Sequence, residues 1–216
     1  MNMRVVGTVS RSRFAKWGAS AAVICAVASA MAAPNPVSGP KSSDGYQTAA
    51  AHAMLIEAES GSVLFEKAAD DLIPPASLSK LMTQEVVFNE IKQGRLNPTT
   101  EFIVSTNAWR RGGAPSHTSS MFIPIHSKVS VDDLLHGAII QSANDACIAL
   151  AEGISGNEST FAELMTKRAR ELGMAKSTFG NSTGLPDPRQ LMTSRELAQL
   201  ARHLIETYPD FWQLEV

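Results

Sequence analysis

Ser77-Leu78-Ser79-Lys80 sets a hydroxyl and an amine three residues apart. On a helix this spacing brings both to one face, ~5–6 Å apart at Cβ. A serine so placed can attack a carbonyl once a neighbouring base takes its proton, and a lysine whose charge is disfavoured can be that base. A helix start also offers unpaired N–H groups to a developing oxyanion. The same pattern occurs at Ser38-Gly39-Pro40-Lys41, but within a Pro-rich stretch that holds no rigid element. Ser77 instead follows Pro74-Pro75-Ala76 and opens an amphipathic run. Spacing alone leaves two readings open: a nucleophile with its base, or a capping serine beside a surface lysine.

A second polar pair, Ser142-Ala143-Asn144, interrupts two apolar runs, Leu134–Ile140 and Ala146–Leu150. Both runs must be buried, so two polar side chains are held at the edge of a core, where they need partners. A catalytic cleft supplies such partners. Ser105-Thr106-Asn107 and Ser155-Gly156-Asn157 share the spacing, but the latter reads as a turn and helix cap. Other chemistries lack their residues. His52, His117, His126, His136 and His203 form no H-E-x-x-H, and no G-x-S-x-G elbow, C-x₂-C pair or phosphate-cradling glycine loop occurs. No metal or cofactor is expected. His136 lies within an amphipathic helix and reads as structural, and Arg110-Arg111 as solvated surface.

The elements that must hold these residues follow from periodicity. Ala53–Ile56 and Val63–Phe65 are short apolar runs around a Glu59–Ser62 turn cluster, a β-hairpin pattern. From Ser77 the period becomes helical, with Leu78, Leu81, Met82 and Val86 on one stripe and Gly94 as a stop. Ser130 caps a helix whose stripe is Val131, Leu134, Leu135, Ala138 and Ile139, while Ala146–Ala151 is apolar all round and reads as fully buried. Thr160–Glu163 and Thr193–Glu196 match capping boxes, Gly173 reads as a stop, and Asn181–Pro186 is turn material. The last helix carries Leu197, Leu200, Ala201, Leu204 and Ile205 on one face and ends before Pro209. One hairpin followed by many helices makes the class α+β, with a sheet that looks incomplete.

The N-terminus reads differently. Arg4, Arg11, Arg13 and Lys16 precede the apolar, small-residue run Gly18–Met31, too short for a ~20-residue membrane span. Small residues around Ala28–Ala32 then match a cleavage site. The expectation is a signal peptide over 1–33, a Pro/Ser/Gly-rich linker over 34–48 and a domain from 49 to 216. Four basic residues and no acid leave with 1–33, so 183 residues remain and the formal charge moves from −2 to −6. Nothing in that balance points to nucleic acid. With 44% hydrophobic and 19% charged residues the chain can build a core, which excludes wholly disordered and collagen-like classes. The one cysteine left, Cys147, cannot pair within the chain and reads as a buried thiol.

At these residues the sequence resembles the serine D-alanyl-D-alanine carboxypeptidases, the low-molecular-weight penicillin-binding proteins. Ala58–Lys67 is similar to the family's hairpin, Pro75–Thr83 to its nucleophile segment, Ser142–Ala146 to its second motif and Asn181–Pro186 to a characteristic loop. The resemblance implies a β-lactamase/transpeptidase-like α+β domain and a role for each residue. Ser77 would attack the carbonyl between the two terminal D-alanines of a peptidoglycan stem peptide, with Lys80 as base. Ser142 would relay a proton to the leaving amine, and Asn144 would hold the peptide or Lys80. β-Lactams would acylate Ser77. The implied setting is the periplasm or cell envelope.

The family's third motif, a K-T-G on a late strand, would follow S-x-N by roughly a hundred residues. No K-[ST]-G occurs in the 216 residues, nor does a C-terminal membrane anchor. The sequence is therefore read as a partial catalytic domain, with a hairpin edge left unpaired and little turnover of its own. A non-catalytic envelope protein of the same descent is the alternative. A serine β-lactamase is a second, opposed by Ser142-Ala143-Asn144 standing where S-D-N is expected.

Overall fold

The computed structural model describes residues 22–26 and 46–209. The rest of the segment read as signal peptide, and most of the linker, lie outside the described residues. A long amphipathic pattern becomes helix wherever it can bury its stripe, and here several helices do so around a central one. The strands are β1 (Ala22–Ala26), β2 (Ala53–Glu57), β3 (Val63–Lys67), β4 (Glu101–Ile103) and β5 (Lys128–Ser130). The helices are α1 (Lys80–Lys92), α2 (Thr106–Gly112), α3 (Val131–Ile140), α4 (Asn144–Ser155), α5 (Glu158–Glu171) and α6 (Ser194–Thr207). None of the described helices is long and apolar enough to cross a membrane.

The centre is α4. Ala146, Cys147, Ile148 and Leu150 are wholly buried, as an all-apolar run requires. Around it pack α1, α2, α3, α5 and β4. Small residues let these elements close in: a Cβ on Gly112 of α2 would stand 2.3 Å from the Asp145 main-chain nitrogen. Phe161, Met165, Leu134, Leu135, Leu197 and Leu200 fill the remaining space, each worth ~1.5–3 kcal/mol of burial. The expected stripes of α3 and α6 are the buried ones, except Ile139 and Ile205, which are half-buried. Leu78 and Leu81 are likewise only partly buried, because α1 turns Lys80, Thr83 and Glu85 inward as well.

The hairpin forms as expected, β2 antiparallel to β3 with Gly61 at φ +72° in its turn. Its other edge is not bare. Ala22–Ala26 pairs along all of β2, Ala22 opposite Glu57 and Ala26 opposite Ala53, giving the sheet order β1-β2-β3. The expected open edge is covered on the β2 side by a segment that the sequence reading assigns to the signal peptide, and β3 remains at the edge of an incomplete sheet. Unpaired strand edges present backbone donors and acceptors that another strand satisfies, and Ala-Val-Ile-Cys-Ala has the β-branched centre that suits one. Met54 and Ile56 of β2 pack on Ala198 of α6 in a small separate core.

One further correction concerns a helix start. The start of α5 is capped by Asn157, whose side chain accepts from Thr160 N at 2.8 Å, so Thr160 lies inside the helix rather than capping it. Ser105, which shares the S-x-N spacing, caps α2 through Ala108 N at 2.9 Å.

Candidate active site

Pro74 and Pro75 cannot continue a helix from the preceding turn, and the chain enters α1 through a tight turn over Ala76–Ser79. Ala76 sits at φ +49°, a left-handed conformation that a non-glycine residue adopts at a cost. The turn leaves Ser77 exposed and drives Lys80, at the first position of α1, to 3% exposure. Lys80 Nζ donates to Ser77 Oγ at 3.2 Å and to the Thr183 carbonyl at 2.6 Å. Burial pushes the Lys80 ammonium below the ordinary lysine range, and the neighbouring Cys147 opposes this. An amine so disposed can accept the proton of the hydroxyl beside it. Cys147 itself is buried, its thiol pushed up to about 12 by the same desolvation, so it stays protonated.

Asn144 is the first residue of α4 and 4% exposed. Its main-chain N–H donates to Ser119 O at 2.8 Å and its Nδ2 to Thr118 Oγ1 at 2.9 Å. Its Oδ1 has no partner among the described residues. Asn144 and Ser77 both line a cleft of about 680 Å³, whose wall is apolar at Pro74, Leu185 and Pro186 and polar at Thr183, Asp187 and Gln190. Lys80 lies beneath Ser77. The partners of Lys80 are Ser77 and Thr183, not Asn144, whose buried Oδ1 stays unpaired among the described residues. Ser142, at φ +51° two residues earlier, is half-buried and not on the cleft wall. Its hydroxyl makes no hydrogen bond among the described residues. The structure therefore brings Ser77 and Lys80 together and puts Ser77 and Asn144 on one cleft, while Ser142 enters the site through no hydrogen bond among the described residues.

Three contributors were not singled out from the sequence. Thr183 supplies a main-chain carbonyl, which no side-chain motif can reveal. Asp145, wholly buried, accepts from Ser120 Oγ at 2.7 Å and from Met121 N and Ile123 N at 3.1 Å, fixing the loop that holds Asn144. A carboxylate adjoining an all-apolar helix was the available signal. Glu158 accepts from Ser182 N and Oγ at 3.2 and 3.0 Å and pairs with Arg111 at 3.0 Å, so Arg111 braces the loop before Thr183 rather than only facing solvent.

Residues 37–215 match a peptidase family described as D-alanyl-D-alanine carboxypeptidase. The chain is 41% identical over 158 residues to D-alanyl-D-alanine carboxypeptidase DacC of Escherichia coli, covering 73% of this chain and 40% of that protein. Among solved structures, DacD from Francisella tularensis superposes with a TM-score of 0.75 at 34% identity, over 84% of this chain and 43% of that one. Penicillin binding protein 5 from Haemophilus influenzae does so with a TM-score of 0.74 at 35% identity, over 83% and 50%. The chain thus spans about 40% of the length of the curated relatives it matches.

Proposed function

The chain belongs to the D-alanyl-D-alanine carboxypeptidase family, and from that premise we propose that residues 49–216 are the nucleophile-bearing part of a serine-type D-alanyl-D-alanine carboxypeptidase. The observation that carries this reading is Lys80 Nζ, buried and 3.2 Å from an exposed Ser77 Oγ. Ser77 Oγ attacks the carbonyl carbon between two terminal D-alanines as its proton passes to Lys80 Nζ. The tetrahedral adduct collapses, the C–N bond breaks, and the departing D-alanine amine takes a proton from Lys80 by way of the Ser142 hydroxyl. Water then hydrolyses the ester on Ser77. Asn144 Oδ1, without a partner among the described residues, accepts from an amide N–H of the peptide. A β-lactam acylates Ser77 by the same attack, breaking its own ring amide.

Fluorescent penicillin tests this directly. In a chain that also carries the segment its relatives have beyond this one, labelling is expected, and Ser77→Ala abolishes it while Ser38→Ala leaves it unchanged. Labelling that survives Ser77→Ala rejects the assignment. Release of D-alanine from a diacyl-Lys-D-Ala-D-Ala peptide reads turnover in parallel.

The same reading places the protein outside the cytoplasm after cleavage near Ala30–Ala33, supported by the basic lead, short apolar run and small residues in that order. Mass spectrometry of the envelope fraction is expected to find an N-terminus there. A retained Met1 in that fraction contradicts it.

A further inference from the structure

Two successive main-chain carbonyls face α1 from the loop that follows α5. Thr83 Oγ1 donates to Ser182 O at 2.7 Å, and Lys80 Nζ to Thr183 O at 2.6 Å. Residues three apart on a helix share a face, so the loop lies across α1 as a pair of acceptors. Such a carbonyl can direct an amine only if its own position is fixed. The loop belongs to no helix or strand, and its shape rests on the 6%-exposed Asn181. Asn181 Oδ1 accepts from Thr183 N at 3.1 Å, Thr183 Oγ1 at 3.0 Å and Gly184 N at 2.8 Å, while its Nδ2 donates to Leu185 O at 2.9 Å. An asparagine bonding to backbone two and three residues ahead closes a turn that no ladder holds. Gly184 presses this turn onto the nucleophile: a Cβ there would stand 2.0 Å from Ala76 O.

We propose that Asn181 is a positioning residue for proton transfer between Ser77 and Lys80, acting through the Thr183 carbonyl that it fixes. The role rests on the carboxypeptidase reading above. A neutral lysine amine has two hydrogens and one lone pair. With one hydrogen committed to Thr183 O, rotation about the Cε–Nζ bond is restricted and the lone pair can be held toward Ser77 Oγ. The proton leaving Oγ then arrives at Nζ as the new Oγ–C bond forms, and returns to the departing amine. The closed loop also keeps water from Nζ, which preserves the burial that disfavours its charge.

The test uses the full chain with lysines labelled at 13Cε, the Lys80 resonance being identified by its loss in Lys80→Arg. Asn181→Ala opens the loop to water, and the Lys80 midpoint is expected to rise by about one pH unit, or about tenfold less free amine at fixed pH. The acid limb of fluorescent-penicillin labelling moves the same way. Asn181→Ser, whose hydroxyl can still accept from the turn, brings both back toward wild type. An unmoved Lys80 midpoint in a folded Asn181→Ala chain overturns the proposal, as does an Asn181→Ser chain displaced as far as Asn181→Ala. Should Asn181→Ala lack a cooperative melt, Thr183→Val removes one of the three donors to Oδ1 together with the acceptor of Leu185 N, and the same rise or its absence decides. A depressed Lys80 midpoint in a chain of the relatives' full length that no penicillin acylates refutes the carboxypeptidase reading instead, because the NMR titration needs no turnover.

Discussion

The wholly buried Asp145 carboxylate takes the Ser120 hydroxyl at 2.7 Å, tying the first turn of α4 to the loop between α2 and β5. Asp145 Oδ2 also accepts from Ile123 N, and Oδ1 from Met121 N and Ala146 N, each at 3.1 Å. A carboxylate is needed because every group facing these two oxygens is a donor. Asp145→Asn must turn an NH₂ toward at least one pair of them. The expected cost is about 1.5–3 kcal/mol, the range for hydrogen bonds to a charged group, read as a lower urea midpoint. Thr118 and Ser119, which hold Asn144, belong to the same loop, so labelling by penicillin slows as well. A stable Asp145→Asn chain labelled at the wild-type rate contradicts this account.

Lys80 ties stability to pH in a direction opposite to that of a surface lysine. Its folded pKa lies below the unfolded value of 10.5. Between the two, the unfolded chain holds a proton that the folded chain does not, so stability rises with pH across that window. Below the window both states are protonated and the cost of burying the charge is fully present. Above 10.5 both are neutral and that cost is gone. Lys80→Met removes the dependence. Wild type is therefore expected to gain on Lys80→Met as pH climbs through the window, by at most about 1.4 kcal/mol per pH unit. Melts of both chains from pH 6 to 10 check this, and parallel curves refute it.

Much of this arrangement is legible in the residues, and the remainder has identifiable reasons for being hidden. The stripe Val131, Leu134, Leu135, Ala138 and the all-apolar Ala146–Ala151 are helices because only a helix buries them so, and both are buried. By contrast α2 buries only Ala108 and Gly112, too weak a stripe to read. Thr160 and Glu163 match a capping box by letter, yet Asn157 had the better position before the helix. Ser77, Lys80 and Asn144 enter the candidate site through side chains, which spacing can find. Thr183 acts through a carbonyl common to every residue, and Asp145 acts mostly on backbone N–H groups twenty-odd residues away. Such partners exist only once the chain is folded.

Gly184 has room for a hydrogen and nothing larger. At φ +83° it occupies backbone space that disfavours a side chain, and an added Cβ would meet Ala76 O at 2.0 Å and Ser79 Oγ at 2.7 Å. Gly184→Ala must push back the turn that carries Ser77, or lift the loop off Lys80. Either movement alters the 3.2 Å approach of Nζ to Oγ. The expected outcome is a loss of ~1–3 kcal/mol of stability together with at least about a hundredfold slower acylation, in proportion to the general-base contribution. Gly94, at φ +69° with nothing within 4 Å, serves as the control: Gly94→Ala carries the backbone strain alone, loses some stability and labels normally. Equal labelling of the two variants defeats the argument.

On the far side of α1, Glu85 is fully buried and takes Arg168 Nε and Nη2 on one oxygen, each at 2.7 Å. Tyr208 OH donates to that oxygen at 3.4 Å, and burial, with Glu85 beside it, pushes the phenol up to about 12. His203 Nε2 stands 3.2 Å from the other oxygen. This cluster joins α1, α5 and α6 and touches no part of the cleft. Removing the cation leaves a buried carboxylate uncompensated, so Arg168→Met is expected to cost about 3–5 kcal/mol. Desolvating an ion pair offsets much of its attraction, and replacing both partners avoids that loss. Glu85→Leu combined with Arg168→Met is therefore expected to recover most of the stability, within about 1 kcal/mol of wild type. Denaturant midpoints for the two single variants and the double variant decide it: additive losses mean that Glu85 and Arg168 stabilise the fold independently, and the coupled pair is then the wrong description.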